Sequence, residues 1–428
     1  MYSKKLLLKR LKRLEAFLLA AAFIGWAFPV QAQTAAATLP APAAEQANIA
    51  SLKEAFDAAW SRQPEALALQ ARREAAQART ASYWTPEPPA IELTHKSDRF
   101  QRNEGSRELE VGIAVPLWLP GERRGSASLA KAESAIVETR AEAARLRVAA
   151  SVREAWWNWQ RTRIDVEIAH GQLDSAHRLA SDVARRTKVG ELARADRHQA
   201  DGAVATAEAA LAQAEAAATA SLQQLKALSG GLPPAIDASI HAEPEPLSHP
   251  LPPHPALAEL QDRATVAERA AALAAIQSRA NPELILAATR DRGAFGDQYD
   301  QSITFGVRIP FSAGSRHDSR VAAARAEAIE AEAQLALDRA QLQSENEAAL
   351  ARVDAGRKQL QAAERRTMLA RQAREFFDKS FRLGETDLPT RLRIDSEAFE
   401  AERQAARSRV ELAAAISAWR QALGLLPQ

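Results

Sequence analysis

Three side chains near the middle of the chain have the types and spacing to hold a divalent cation. His170, Asp174 and His177 stand at i, i+4 and i+7 of a helical stretch, which puts two imidazoles and a carboxylate on one face. A closed metal site needs a further ligand, and these residues border an apolar seam instead of converging on a pocket, so solvated helix surface competes with metal ligation. His249 and His254, in a Pro-rich stretch, face the same choice. The run Trp156-Trp157-Asn158-Trp159 reads as helix packing, with Trp159 in the seam. No phosphate-cradling Gly-rich loop followed by Lys and Ser/Thr is visible, nor HExxH, nor a Ser/His/Asp constellation, so neither catalysis nor a cofactor is expected. The chain contains no cysteine, which removes disulfides, thiolate metal sites and cysteine nucleophiles.

The first residues carry an address. A basic stretch (Lys4, Lys5, Lys9, Arg10, Lys12, Arg13) precedes an apolar run from Ala16 to Phe28 and a small-residue site at Val30-Gln31-Ala32, the pattern of a secretory signal peptide cut after Ala32. That run falls short of the ~20 residues a transmembrane helix needs. With no cysteine after the cleavage site, lipid anchoring through Cys is not expected. The formal net charge is +2, but residues 1–32 carry six basic residues and one acid, leaving −3 for the remainder. The excess of base belongs to the signal, and no basic stretch interleaved with aromatics remains for nucleic acid.

The rest of the chain is a duplication. Pro88 and Pro282, Pro116 and Pro310, Gly190 and Gly384, and Gly230 and Gly424 are each 194 residues apart. The text around them agrees: Val111-Gly112-Ile113-Ala114-Val115-Pro116 parallels Phe305-Gly306-Val307-Arg308-Ile309-Pro310. The organisation expected is a signal peptide at 1–32, an extended N-terminal tail at 33–50, repeat 1 at 51–231, a Pro- and His-rich connector at 232–255, and repeat 2 at 256–425.

Each repeat needs two kinds of element. From Val152 through Ala155, Trp159, Val166, Ala169, Leu173, Ala176 and Ala180 to Val183, apolar or small residues step by threes and fours, with Thr162 the one polar interruption. This predicts one helix from about Gly125 to Gly190, roughly 100 Å long at 1.5 Å per residue. A second helix with Val204, Ala207, Leu211, Ala214 and Ala218 in its seam returns to Gly230, and repeat 2 copies the plan with a hairpin turning at Gly384. Seams of Ala bring helices close but bury modest area at about 25 cal/mol per Å², so lateral packing of several hairpins into a cylinder, hence an oligomer, is expected.

Ahead of each hairpin the period switches to two. Leu109, Val111, Ile113, Val115 and Leu117 form an apolar row, as do Ile303, Phe305, Val307, Ile309 and Phe311; their partners are Ile91 to Phe100 and Leu284 to Arg292. About ten residues suit a bilayer-spanning strand. Tyr83, Trp84 and Trp118 at the strand-to-helix borders either pack the junction or sit at a membrane interface. Two strand hairpins cannot close a barrel, and an open edge in lipid costs several kcal/mol per unpaired group, so closure requires copies; three would supply twelve strands. The fold class is therefore an α+β membrane protein: a long α-helical coiled-coil barrel plus a transmembrane β-barrel of four strands per protomer.

This order of elements, with the tip patterns Lys188-Val189-Gly190-Glu191-Leu192 and Arg382-Leu383-Gly384-Glu385-Thr386-Asp387, resembles the TolC-like outer-membrane factor (outer membrane efflux protein) family over about Ser51 to Leu425, and among its branches the CzcC-like heavy-metal cation branch. The resemblance implies a homotrimer whose barrel meets lipid in the bacterial outer membrane and whose helices cross the periplasm. A periplasmic adaptor would dock on the tips, at Gly190, Glu191, Gly384, Glu385 and Asp387, and link the duct to an inner-membrane proton-driven RND-type pump exporting divalent cations. Many members carry carboxylates six and nine residues beyond the second tip glycine, constricting the entrance. Here those positions are Thr390 and Arg393, and the first repeat has Asp196 and Gln199. Arg393 is expected to pair with a carboxylate such as Asp196 or Asp201 of a neighbouring hairpin, or else to be a solvated helix-face arginine. Other readings are a duct for drugs or proteins, a periplasmic coiled-coil adaptor, which would lack membrane-length strand pairs, and a secreted structural coiled coil.

Overall fold

Among the described residues, eleven helices and strands follow one another in an order that nearly repeats. In the computed structural model the described residues are 51–80, 84–100, 104–231, 242–246, 253–311 and 314–428. The signal peptide, the tail, Tyr83, His249 and most of the connector lie outside them. The elements are α1 (Leu52–Ser61), α2 (Pro64–Thr80), β1 (Ala90–Ser97), β2 (Arg107–Pro116), α3 (Glu122–Lys188), α4 (Arg194–Ser229), α5 (Pro255–Ile276), β3 (Glu283–Arg292), β4 (Asp300–Arg308), α6 (Ser315–Arg382) and α7 (Leu388–Ala422).

The sequence predicts one helix before β1, but there are two. Ser51 opens α1 by accepting the Glu54 N–H at 3.2 Å. Pro64, lacking an N–H, cannot continue that helix but fits the first turn of the next. For the same reason Pro255, assigned to the connector, is the first residue of α5. The strands stop at Ser97 and Arg308, short of the expected Phe100 and Phe311.

The long helices are as expected: α3 has 67 residues and α6 has 68. Along α3, Val152, Ala155, Trp159, Ala169 and Val183 are buried, and the other seam residues are half-buried. One part of α3 packs on α2 and α5, the rest on α4 and α7, while α6 packs on α5 and α7. Hairpin 1 (α3–α4) and hairpin 2 (α6–α7) thus meet through α3 and α7.

The main core sits where α1 crosses the hairpins. Leu52, Phe56 and Ala59 of α1 pack with Val152, Trp156, Trp157 and Trp159 of α3, Leu225 of α4, and Val410 and Ala413 of α7. Trp156 and Trp159 meet edge to face at 5.3 Å. The Trp157 indole N–H donates to Ser417 Oγ at 2.9 Å, so all three tryptophans are packing residues.

That core contains a charged keystone. Glu243 of the connector lies between two buried arginines from elements far apart in sequence. Its Oε1 is 2.7 Å from Arg153 Nη2 and 3.2 Å from Arg420 Nε, and its Oε2 accepts from Arg153 Nε at 2.9 Å. Other donors reach main-chain carbonyls, Arg153 that of Leu425 at 3.0 Å and Arg420 that of Pro244 at 2.9 Å, and Arg153 Nη1 also donates to Gln421 Oε1 at 2.5 Å. A stretch with no regular structure is thereby fixed to α3 and α7.

The four strands form one antiparallel sheet in the order β1-β2-β3-β4. Its central pair, β2 with β3, joins the repeats, with Ile113 opposite Leu286 and Val111 opposite Ala288. A buried carboxylate braces the base: Glu122, at the start of α3, accepts from Leu119 N at 3.0 Å, Gln277 Nε2 at 2.8 Å and Asn281 Nδ2 at 2.5 Å. Among the described residues the outer edges of β1 and β4 have no partner strand. No described helix is long and apolar enough to cross a membrane.

Candidate functional site

Two regions can carry function: the hairpin tips and the two faces of the sheet. At each tip the long helix ends on a left-handed glycine, Gly190 at φ 85° and Gly384 at φ 77°. Gly190 N donates to Thr187 O at 3.1 Å and Glu191 N to Arg186 O at 2.9 Å. Gly384 N to Phe381 O at 3.2 Å and Glu385 N to Ser380 O at 3.0 Å repeat the pattern. A Cβ at either glycine would meet nothing within 4 Å, so backbone conformation alone requires glycine.

The return helices are capped by carboxylates placed differently. Asp196 accepts from Ala193 N at 3.0 Å, reaching back from the first turn of α4. In repeat 2 the residue at that position is Thr390, and the carboxylate has moved to Asp387, which accepts from Thr390 N at 3.2 Å. Hydrogen bonding from Thr390 holds the Asp387 carboxyl below its ordinary value. Asp196 is thus tied to its own turn, Gln199 is exposed, and Thr390 serves as a capping partner.

Arg393 pairs along its own helix with Glu397, both well exposed, and Asp201 pairs with Arg197 at 3.7 Å. The expected partnership of Arg393 with Asp196 or Asp201 is absent within the protomer. Two positions earlier the sequence reading missed the buried arginine: Arg391 contacts Asp395, and its Nη2 lies 2.8 Å from Asp378. Arg374 adds a 2.8 Å contact to Asp395 and a 2.8 Å hydrogen bond to Ser175 of α3. Closer to the tips, Val183 and Ala200 pack with Phe381 and Leu388.

Also missed were Val189 and Leu383, mirrored at the 194-residue offset and exposed beside the tip glycines at 71% and 74%. Their apolar side chains project next to Glu191, Glu385 and Asp387. The signal was there: an apolar residue directly before each left-handed glycine, where no seam continues.

The histidine trio does not assemble. His170 faces Glu215 of α4 at 3.7 Å, whereas His177 lines an open groove of 1040 Å³ with six arginines, Arg374 and Arg391 among them. Asp174 is exposed, and among the described residues no three His, Asp or Glu side chains are placed to hold a metal ion.

On the sheet, strand alternation places every carboxylate on one face. The even-numbered residues of β1, β2 and β4 and the odd-numbered ones of β3 share one face, which carries Glu92, Glu108, Glu110, Glu283, Asp291 and Asp300 against Lys96 and Arg308. Lys96 pairs with Glu108 and Arg308 with Glu283, each at 3.0 Å. Glu92, Glu110, Asp291 and Asp300 have no cationic partner among the described residues. The other face is apolar and solvent-facing, with Ile91 79% and Ile303 80% exposed beside Leu93, Val111 and Phe305. Trp118, half-buried, donates its indole N–H to Trp84 O at 3.1 Å at the sheet base, while the Trp84 ring is exposed.

Residues 55–231 match the sequence model of the Outer membrane efflux protein family. Among curated proteins the chain has no match. In fold it is similar to CusC (TM-score 0.73, 14% identity, 88% of this chain and 92% of that one). It is likewise similar to the outer membrane protein VceC of Vibrio cholerae (0.68, 21%, 87% and 96%). The open state of the Neisseria gonorrhoeae MtrE outer membrane channel matches at 0.66, with 15% identity over 88% and 89%. The family-level resemblance read in the sequence therefore holds in the text of the first repeat and in the fold of both. Neither the family nor these neighbours are enzymes.

Proposed function

We propose that this chain is the outer-membrane channel component of a tripartite efflux system, a passive exit duct with repeats at 51–231 and 256–425 as its wall units. The observation that carries this is the sheet: one face apolar and bare except for arginines at its loop end, the other acidic, and both edges without a partner strand among the described residues. In water that apolar face is unfavourable by about 25 cal/mol per Å². In lipid the face is satisfied but the edges are not. Three copies, each pairing β1 with a neighbour's β4, satisfy both. The helices ask for the same neighbours, since Ile329, Leu337, Leu369 and Phe376 of α6 are exposed.

A periplasmic adaptor, in this reading, grips Val189, Gly190 and Glu191 on one tip and Leu383, Gly384, Glu385 and Asp387 on the other, each an apolar knob flanked by carboxylates. An inner-membrane RND-type pump supplies the energy. Divalent heavy-metal cations are the proposed cargo, supported by four unpaired carboxylates per protomer on the lumen face and by the CzcC-like tip sequences.

Reconstituted in planar bilayers across a salt gradient, the protein should conduct with a reversal potential of cation-selective sign, reduced in Glu110→Gln/Asp291→Asn. Anion selectivity contradicts the acidic lumen. A strain lacking the protein should become sensitive to zinc, cobalt, nickel or cadmium. Sensitivity to dyes and detergents without any to these metals overturns the cargo and favours a drug duct.

A further inference from the structure

The apolar face of the sheet is not uncharged along its whole height. At the end bearing the two strand-joining loops, and nowhere else on that face, stand Arg107, Arg290 and Arg292. Arg107 lies directly opposite Arg292, and Arg290 opposite Leu109. Like charges directly opposed across a strand pair repel. Among the described residues no carboxylate pairs with any of the three, and every strand carboxylate is on the other face. Of the nearby loop acids, Asp98 accepts from Gly105 N at 3.0 Å and Asp297 from Ala294 N at 2.8 Å, while Glu104 is exposed and makes no ion pair among the described residues.

The cluster is nevertheless held in shape. The Tyr299 ring lies between two guanidiniums, 4.5 Å from Arg290 and 5.1 Å from Arg292. Arg292 also donates from Nε to Gly105 O at 3.0 Å, and Phe295 N donates to Glu104 O at 2.8 Å, which ties the two loops together. Gly105, at φ 97°, admits this contact because a Cβ would fall 2.5 Å from Phe295 N. A fixed set of guanidiniums without counter-charge, bordering an exposed apolar band, fits an amphiphile with an anionic head. Guanidinium forks match phosphate in particular.

We infer that this rim binds the phosphate groups of a phosphorylated glycolipid in the leaflet on the loop side, its acyl chains lying along Leu109, Val111 and Ile303. The assignment rests on the duct reading, which puts the apolar face in lipid. It makes the anion an integral part of the folded rim: the lipid phosphate supplies the charge that Arg107 and Arg292 lack.

The test uses purified trimer and native mass spectrometry, with lipid A, dephosphorylated lipid A and inorganic phosphate as probes. Lipid A should be retained, the dephosphorylated form at least about tenfold less, the size of loss expected for charge-assisted hydrogen bonds, and millimolar inorganic phosphate should not displace it. Arg107→Gln/Arg290→Gln should lose about tenfold or more, while Arg107→Lys/Arg290→Lys, which keeps charge without the fork, should fall between. Equal retention by the Gln variant, indifference to the phosphates, or displacement by inorganic phosphate overturns the inference. Both variants are first shown to be trimers in the outer-membrane fraction. If the wild-type trimer is found there and does not retain lipid A, the lipid site fails and the duct stands; if wild type itself is not found there, the duct reading fails and this one with it.

Discussion

Arg186 of the first hairpin donates a 3.1 Å hydrogen bond from Nη1 to the main-chain carbonyl of Phe381 in the second, with its guanidinium 5.1 Å over the same residue's ring. The carbonyl belongs to the last turn of α6 and already accepts from Gly384 N at 3.2 Å, so the guanidinium takes its second lone pair and ties one tip to the end of the other. Its Nε meanwhile contacts Glu191 at 3.0 Å. Removing the guanidinium in Arg186→Met is expected to cost about 1–3 kcal/mol at the tips alone. Hydrogen exchange at residues 380–388 should accelerate while that of β2 and β3 stays unchanged. No change at the second tip would show that the tips are held independently.

Arg391 and Arg393 separate a buried network from a solvated pair. Arg391 is 6% exposed between Asp378 and Asp395, and its removal takes one of two guanidiniums from each carboxylate, leaving Arg374 on Asp395 and Arg382 on Asp378, a change of about 1.5–3 kcal/mol. Arg393→Ala breaks an exposed i, i+4 pair worth about 0.3–0.5 kcal/mol. Denaturant unfolding of the two alanine variants in detergent should show this contrast. Comparable losses would mean that Arg393 has a partner on a neighbouring protomer, as the sequence reading proposed.

Glu243→Ala is expected to cost about 3–5 kcal/mol, because it leaves Arg153 and Arg420 buried side by side with no counter-charge. Burial already lowers Arg420 below the ordinary guanidinium value, with Glu243 opposing that shift. Thermal unfolding checks the loss. A shift no larger than that of Glu245→Ala, whose partner Arg357 is exposed at the surface, would contradict a structural role for the connector.

The Asp387 cap gives the second tip an acid sensitivity of defined sign. Its folded pKa is depressed, so its contribution is fully present above the ordinary carboxylate value and is lost as pH falls through the lowered one. Protection of the first turn of α7 should follow that curve in wild type. In Asp387→Asn, which caps without titrating, it should be flat. Parallel pH profiles would remove Asp387 as the cause.

What could be read in the sequence was local or periodic. Gly190, Gly384, Gly230 and Gly424 share an offset and all four adopt left-handed conformations, because a helix end demands it of whatever residue stands there. Alternation gave Val111 and Phe305 the same face because the strand period is two. Glu243 gave no signal in the sequence, since its partners are 90 and 177 residues away. Thr390 stands where the first repeat has Asp196, and the capping carboxylate of the second repeat is Asp387, a change of cap register that spacing from the glycine does not show. His170, Asp174 and His177 show the converse: one helix face was legible, but convergence needs a second element, and the groove beside His177 is lined with arginine.

The account stands on closure of the four-stranded sheet by copies in the outer membrane. Membrane fractionation with unheated and heated electrophoresis tests this most directly. The account predicts a heat-modifiable trimer in outer-membrane extracts, stabilised when a Cys pair is placed across the β1 edge and a neighbour's β4. A monomer released by osmotic shock would contradict it.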